Sequence, residues 1–321
     1  MVNEQKNIRH SILQLLYDAK GRTVSGVSIS NELGVSRVAV WKHISALKKN
    51  GFDIESNAKG YVLQNHEDLL LPFCFDTKFQ DRIFHFQHLD STMNKAKSLA
   101  KENIPHLSVV LAENQTSGRG RLNRQWFSSG GGLWFTLILK PDIPPVLAYV
   151  YNFAAGLSLA RTIKNMFSLD VSVKWPNDLL LEGRKLCGLL SEMETQGDMI
   201  EFVNIGIGLN VNNDPVQHEP NAVSLKQALG KNISRKLILQ NFLDDFSGMT
   251  KDPDPAGIIF EWKKHTSTIG TCVRVETLKS VHKGMAVDVD ETGALIIEDR
   301  HGKQKRIIYG DCFHNEFTRQ A

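Results

Sequence analysis

Apolar positions along this chain recur with two different periods, and the changes of period mark three segments. Between residues 1 and 64, Ile8, Ile12, Leu15 and Leu16 recur at helical spacing, and Val40, Ile44 and Leu47 do the same. Ser25 and Ser36 stand where helix N-caps belong, and Gly34-Val35 supplies a turn before the second of them. Three helices are predicted, the third ended by Gly51. Residues 52–56 and 61–64 then read as a hairpin around Asn57-Ala58-Lys59-Gly60, which completes a winged helix-turn-helix. Residues 65–83 read as a linker and a lead-in helix. From residue 84 to about 265, strand-like runs (84–89, 107–112, 133–140, 171–173, 200–210) alternate with helical ones, the longest at 146–167. Ser91 is placed to cap the helix after the first strand. From about residue 268 the runs become short and β-type, broken by Thr292-Gly293 and His301-Gly302, which predicts a small antiparallel barrel. The expectation is a multidomain α+β chain divided at 1–64, 65–267 and 268–321.

Composition changes this picture little. The chain has 321 residues, 41% of them hydrophobic and 23% charged, as in a soluble globular protein of two or three domains. A formal net charge of +3 does not by itself mark a nucleic-acid binder. Its distribution says more. Residues 1–64 hold nine Lys and Arg against five Asp and Glu, so the positive excess lies there. Ser36, Arg37, Lys42, Ser45 and Lys48 on the third helix, and Lys59 at the hairpin tip, are candidate DNA contacts, because the third helix of such a motif reads bases. A small docking domain would share the charge but has no need of the wing. Cys74, Cys187, Cys272 and Cys312 are scattered without metal-ligand spacing, so neither a metal site nor a disulfide framework is expected. The polar N-terminus lacks a signal-peptide core. No apolar run is expected to approach the ~20 residues of a membrane span. A cytoplasmic address without a membrane partner is the expectation.

Candidate chemistry gathers in the central segment. Residues 113–126 place Arg119, Arg121 and Arg124, with Gly118 and Gly120, directly after an apolar strand. Arginine stays charged and presents a donor fork that fits carboxylates and phosphates, while glycine lets backbone approach a ligand closely. Such a loop suits a lid over an anion, although a plain solvated loop has the same composition. Trp126 adds a flat apolar face. Asn177-Asp178 follows Pro176 and predicts an extended turn, whose side chains suit either turn formation or a ligand. Lys185 lies beside an apolar strand, where its ammonium either enters a low-dielectric site or sits on an exposed strand face. Asn210 ends the glycine-alternating run Gly206-Ile207-Gly208-Leu209, equally as a strand-end cap or as a ligand contact. No GxxxxGK[ST], HExxH or GxSxG motif occurs.

Taken in order, Asp90-Ser91-Thr92, Gln115, Gly118 to Arg121, Lys174 to Asp178, Lys185 to Gly188 and Gly206 to Asn210 resemble the biotin protein ligases, specifically the bifunctional form that is also a biotin operon repressor. The resemblance covers most of residues 84–213. It implies a mixed sheet related to the class II aminoacyl-tRNA synthetase core, and an SH3-like C-terminal domain. It implies a two-step reaction with ATP, Mg²⁺ and biotin: formation of biotinyl-5′-AMP, then transfer of biotin to a lysine of the biotin carboxyl carrier protein of a biotin-dependent carboxylase. Such chemistry needs fixed cations around the reacting phosphate and a lid against water. The resemblance implies catalytic roles for Lys185, Arg121 and Asp178, the last orienting Mg²⁺ or the incoming lysine. Biotin contacts are implied for Ser91, Thr92, Met93, Gln115, Arg119, Gly120, Arg121 and Lys185. Nucleotide contacts are implied for Arg121, Arg124, Trp126, Asn177 and Asn210.

It also implies operator DNA as a partner, and the small size of one winged domain predicts a homodimer on a two-fold site. Two departures stand out. Leu122-Asn123 occupies the place where a basic or small residue followed by glycine is usual, and Met93 separates Thr92 from Asn94. The alternatives are a lipoate–protein ligase, for which Ser129-Gly130-Gly131-Gly132 is a faint sign, and a ligand-sensing repressor without catalysis. The arginine loop and Trp175 favour biotin, and Lys185 together with Asp178 favours catalysis.

Overall fold

A computed structural model describes residues 2–314. Residue 1 and residues 315–321, the end of the expected C-terminal domain, lie outside the described residues, as do the side chains of residues 2–7 and of Asn123. The chain divides into two compact units, Met1–Gln80 and Asp81–Ala321.

In the first unit, helices α1 (Val2–Asp18), α2 (Gly26–Leu33) and α3 (Arg37–Lys49) close over Ile12, Leu16, Ile29, Val40, Ile44 and Leu47, all buried. Ser25 Oγ accepts the Ser28 N–H and Ser36 Oγ accepts the Ala39 N–H, so both expected caps form. Strands β1 (Ile54–Asn57) and β2 (Gly60–Leu63) pair antiparallel with Asn57 opposite Gly60. Residues 65–80, expected as a linker ahead of the catalytic domain, belong to this unit and end in the single-turn helix α4 (Thr77–Gln80). Phe73 packs edge-on against His10 and Tyr17, with ring centroids 4.9 and 5.5 Å away.

The second unit begins with β3 (Ile83–Leu89), α5 (Thr92–Ala100), β4 (Ser108–Gln115), β5 (Leu133–Leu139) and α6 (Tyr149–Phe167). Strands β6 (Val171–Lys174), β7 (Asp178–Leu181), β8 (Arg184–Gln196) and β9 (Met199–Leu209) follow, then α7 (Leu225–Leu229), α8 (Arg235–Thr250) and α9 (Pro255–Lys264). The strands form a seven-stranded sheet in the order β3-β4-β5-β9-β8-β7-β6. Only β3 and β4 run parallel; the other neighbours are antiparallel. One face carries α5, with Ala96 and Leu99 against Val110, Ile138 and Phe202. The other carries α6, α8 and α9, with Phe135 meeting Phe242 edge-on. Residues 175–177 form the expected turn, and β7 corrects only its end: pairing with both β6 and β8 makes Asp178 the first residue of a ladder.

A second correction concerns the long helix. Residues Pro145–Phe167 are long and apolar enough to cross a membrane by length and composition, contrary to the expectation that no run approached this. The apolar surface is instead a core surface. Val150, Phe153, Leu157, Leu159 and Ile163 are buried, and α6 packs against α8, α9 and the edge of the sheet.

The last five strands are β10 (Cys272–Glu276), β11 (Val281–Val289), β12 (Leu295–Glu298), β13 (Gln304–Ile307) and β14 (Asp311–His314), an antiparallel sheet in the order β13-β12-β11-β10-β14. The pattern did not predict β14, which has a single fully buried side chain, Cys312. This small domain is anchored to the larger sheet by Trp175, whose indole N–H donates to Gly293 O at 3.0 Å, and by Tyr149, whose hydroxyl donates to Glu291 O at 2.8 Å.

Candidate active site

The alternation at the end of β9 builds a flat floor. Ile205, Ile207 and Leu209 are buried on one face of the sheet, and Gly206 and Gly208 lie on the other. A methyl group on Gly206 would meet Met93 Sδ, and one on Gly208 would overlap the Trp126 indole. The two glycines therefore let Met93 and Trp126 lie directly against backbone. Above them opens a cavity of about 700 Å³. It is lined by every residue expected at the ligand site: Ser91, Thr92, Met93, Gln115, Arg119, Gly120, Arg121, Arg124, Trp126, Asn177, Asp178, Lys185 and Asn210.

At the α5 end the polar groups are fixed by one another. Gln115 Oε1 accepts from both the Thr92 N–H (2.7 Å) and the Thr92 hydroxyl (3.0 Å), and Gln115 Nε2 donates to Ser128 Oγ (2.8 Å). Thr136 donates its hydroxyl to Thr92 Oγ1 at 2.9 Å. The expected cap of α5 is thus corrected. Ser91 is the N-cap by position, but its hydroxyl makes no cap bond; the Thr92 N–H is taken by Gln115 from β4.

The arginine loop is tied down at each residue. Arg119 donates to Asn94 Oδ1 at 3.0 Å and lies 3.5 Å from Glu192, while Asn94 donates to Asp90 at 2.6 Å. Arg121 donates to Asn177 Oδ1 (3.3 Å) and to Gly310 O (3.0 Å), and burial draws its pKa down. Arg124 pairs with Asp311 at 2.6 Å. The loop closes through a backbone bond from Gly120 N–H to Arg124 O, and Leu122 adopts a left-handed conformation at φ 52°. That strained position is where the motif departs from its usual residues, and glycine would adopt it without a Cβ penalty.

Lys185 and Asp178 meet through an irregularity. The β7–β8 register shifts between Leu179 and Leu180, which puts Lys185 Nζ 2.8 Å from Asp178 Oδ1. The ammonium also lies 5.4 Å from the Trp126 ring centre, within cation–π range. The Lys185 backbone is clamped to the loop after β9, its N–H to Asn221 O and its carbonyl to the Val223 N–H. Asn177 donates to Leu189 O and accepts from Arg121, so both ends of its amide hold protein groups. Asn210 accepts from Asn213 at 2.9 Å inside the same loop.

Sequence reasoning missed several lining residues. Phe127 and His218 stack with centroids 3.9 Å apart and planes 9° apart, a flat pair in the cavity lining. Asp311, Cys312, Phe313 and His314 come from β14. Burial holds the His314 imidazole at about 4 with help from Lys174, against an opposing pull from Asp178, and it pushes the Cys312 thiol up to about 12. No local signal marks these positions, because β14 reaches the cavity only by pairing with β10.

In the first unit, Ser36 is spent as a cap, the Ser45 hydroxyl donates to Trp41 O, and Lys48 donates to Ser56 Oγ on the wing at 2.8 Å. Arg37, Lys42 and Lys59 are exposed, with no side-chain partner among the described residues.

Comparison with known proteins agrees with this layout. Residues 84–212 match the biotin/lipoate A/B protein ligase family, residues 9–62 an HTH domain and residues 268–315 the biotin protein ligase C terminal domain. The bifunctional ligase/repressor BirA of Bacillus subtilis is 36% identical over 316 residues, which is 94% of this chain and 97% of that protein. Its counterpart in Escherichia coli is 28% identical over 87% of this chain and 89% of its own. Among solved structures, the biotin protein ligase from Aquifex aeolicus in complex with biotin and ATP aligns with a TM-score of 0.63 at 26% identity, over 73% of this chain and 99% of that one. With all three segments matched in order and nearly the whole length aligned, this chain belongs to the family of bifunctional biotin ligase/repressors.

Proposed function

We infer that the chain is an ATP-dependent biotin–protein ligase that also acts as a biotin-responsive transcriptional repressor. It forms biotinyl-5′-AMP and transfers biotin to a carrier protein. The observation that carries this reading is the convergence, in one cavity, of a fixed polar cluster, a flat indole slot, the Lys185–Asp178 pair and the tied arginine loop.

In the first step a carboxylate oxygen of biotin attacks the α-phosphorus of ATP, and the bond to pyrophosphate breaks. Both reactants are anionic, so cations in a partly dry site lower the barrier. The Thr92–Gln115–Ser128 cluster suits the ureido ring, which both donates and accepts, while Met93, Trp126 and the two glycines suit the apolar ring system. Lys185, steered by Asp178, faces the developing charge. Arg121 bridges the loop to the small domain and clamps the phosphate end, with Arg124 beside it. In the second step the amine of a carrier lysine attacks the acyl carbon and AMP leaves. Asp178 orients that amine. The carrier would be the biotin carboxyl carrier protein of a biotin-dependent carboxylase.

No group of three or more His, Cys, Asp or Glu suited to a metal occurs among the described residues. Mg²⁺ therefore fits as a companion of the ATP phosphates, with Asp178 the candidate protein ligand; it would neutralise phosphate charge. For the N-terminal unit the reading is operator DNA, bound by two copies of the chain. Biotinyl-5′-AMP would strengthen repression if it favours that dimer, because a ligand shifts an equilibrium by its differential affinity for the two states.

The test is a mass spectrum of protein incubated with ATP, Mg²⁺ and either biotin or lipoate. Biotinyl-5′-AMP in the biotin arm alone is the expected result. A lipoyl-adenylate formed in preference would overturn the substrate, and no adenylate in either arm would overturn catalysis.

A further inference from the structure

The exposed stripe of α3 is apolar at its centre and basic at its edges. Val38, Trp41 and Ser45 follow at i, i+3 and i+7, so they share one face of the helix. Val38 is 63% exposed and Trp41 is 59% exposed, although neither has an apolar reason to face water. Val27, at 46%, extends the patch from the start of α2. These side chains line a cleft between α3 and the wing, together with Arg37, Lys59 and Tyr61. Helix α3 has no acidic residue, and Arg37, Lys42, Lys48 and Lys49 surround the patch.

The basic residues are poor candidates for reading bases. Lys48 is held on Ser56, and Ser45 and Ser36 spend their hydroxyls on the helix itself. Arg37, Lys42 and Lys59 remain free for phosphates, which position a protein on DNA without reading sequence. Thymine is the base that shows a methyl group in the major groove, and apolar side chains recognise it there.

We propose that Val38 and Trp41 read thymine methyl groups in the major groove of the operator, and that this apolar contact, flanked by phosphate-binding Arg37, Lys42 and Lys59, sets much of the sequence preference. The inference rests on the reading of the N-terminal unit as DNA-binding. The cleft fits one occupant, a polyanionic groove with apolar points along its floor. A protein partner would gain little from the ring of unpaired cations.

The experiment uses the full chain with biotin, ATP and Mg²⁺, and a duplex obtained by in vitro selection on that mixture. Each thymine is then replaced singly by deoxyuridine, which removes only the methyl group. One or two positions per half-site should lose affinity by about fourfold, the worth of one buried methyl. Trp41→Ala or Val38→Ala should abolish that penalty at its own position while keeping the salt dependence of binding. Salt-sensitive binding of both variants to a random-sequence duplex, retained at the wild-type level, reports that their N-terminal unit is folded. Lys42→Ala should instead weaken all duplexes alike and lower the salt slope by about one. Equal deoxyuridine penalties in wild type and in both variants, or none anywhere, would overturn the proposal while leaving DNA binding intact. Failure to select any duplex with salt-sensitive binding would overturn DNA binding itself, and the proposal with it.

Discussion

Lys185 and Arg121 are held in different ways, and their variants are expected to fail differently. Lys185 has one charged partner, Asp178 at 2.8 Å, and an indole at its side. Lys185→Ala should leave the protein folded and slow adenylate formation. The loss of one charge-assisted hydrogen bond, roughly 1.5–3 kcal/mol, corresponds to about ten- to a hundredfold in single-turnover rate. Wild-type rates in that variant would leave Lys185 as a surface residue. Arg121 bridges Asn177 and the Gly310 carbonyl, so it holds the loop against the small domain. Arg121→Gly should let the adenylate escape and label bystander lysines, which a biotin blot of added serum albumin would reveal. If the variant retains its adenylate as long as wild type does, the clamp is wrong. Gly208→Ala should raise the biotin concentration needed for half-saturation, because a methyl there displaces Trp126. Titration of indole fluorescence with biotin would measure it, and an unchanged curve would mean the slot is elsewhere.

Strand β14 is held by a polar junction at His314 as well as by its ladder and the Arg124–Asp311 pair. Thr268 Oγ1 accepts the Trp175 N–H at 3.0 Å, which leaves its own proton for His314 Nε2 at 3.2 Å. The bond needs a neutral imidazole, and burial supplies one by holding His314 at about 4, well below the 6.5 of a free histidine. Lys174 opposes its protonation and Asp178 favours it. A histidine with a depressed folded pKa binds its proton more readily when unfolded, so the junction is intact above pH 6.5 and loses stability as pH falls towards 4. The melting temperature should therefore decline through that window, and His314→Gln should flatten the decline. Parallel pH profiles of the two proteins would refute the assignment. The elements themselves were unequally legible. The capped helices α2 and α3 and the hairpin were plain, because each is signalled within a few residues. Strand β7 was hidden by the proline and asparagine before it, and β14 by the scarcity of buried positions.

The chain works as two units, and the cut between them lies later than the hydrophobic pattern suggested. Phe73 packs on His10 and Tyr17, so removal of residues 1–64 alone would strip the cover from Phe73. Removal of residues 1–80 should abolish DNA binding and leave most biotin transfer, since every lining residue of the catalytic cavity lies beyond that point. A truncated protein that is folded but inactive would tie catalysis to the first unit. In the full chain, operator affinity should fall with salt by about 0.9 in log–log slope per neutralised phosphate. The order of motifs, the glycine alternation in β9 and the charge excess at the N-terminus were all readable along the chain, because each depends on neighbours a few residues away. Other features were not. Arg121 meets a carbonyl 189 positions later, Asn94 links Asp90 to Arg119, and a register shift carries Lys185 onto Asp178. These partnerships arise from strand pairing and from the packing of the small domain on the sheet. No local period encodes them, because the residues become neighbours only once distant hydrophobic faces have been buried together.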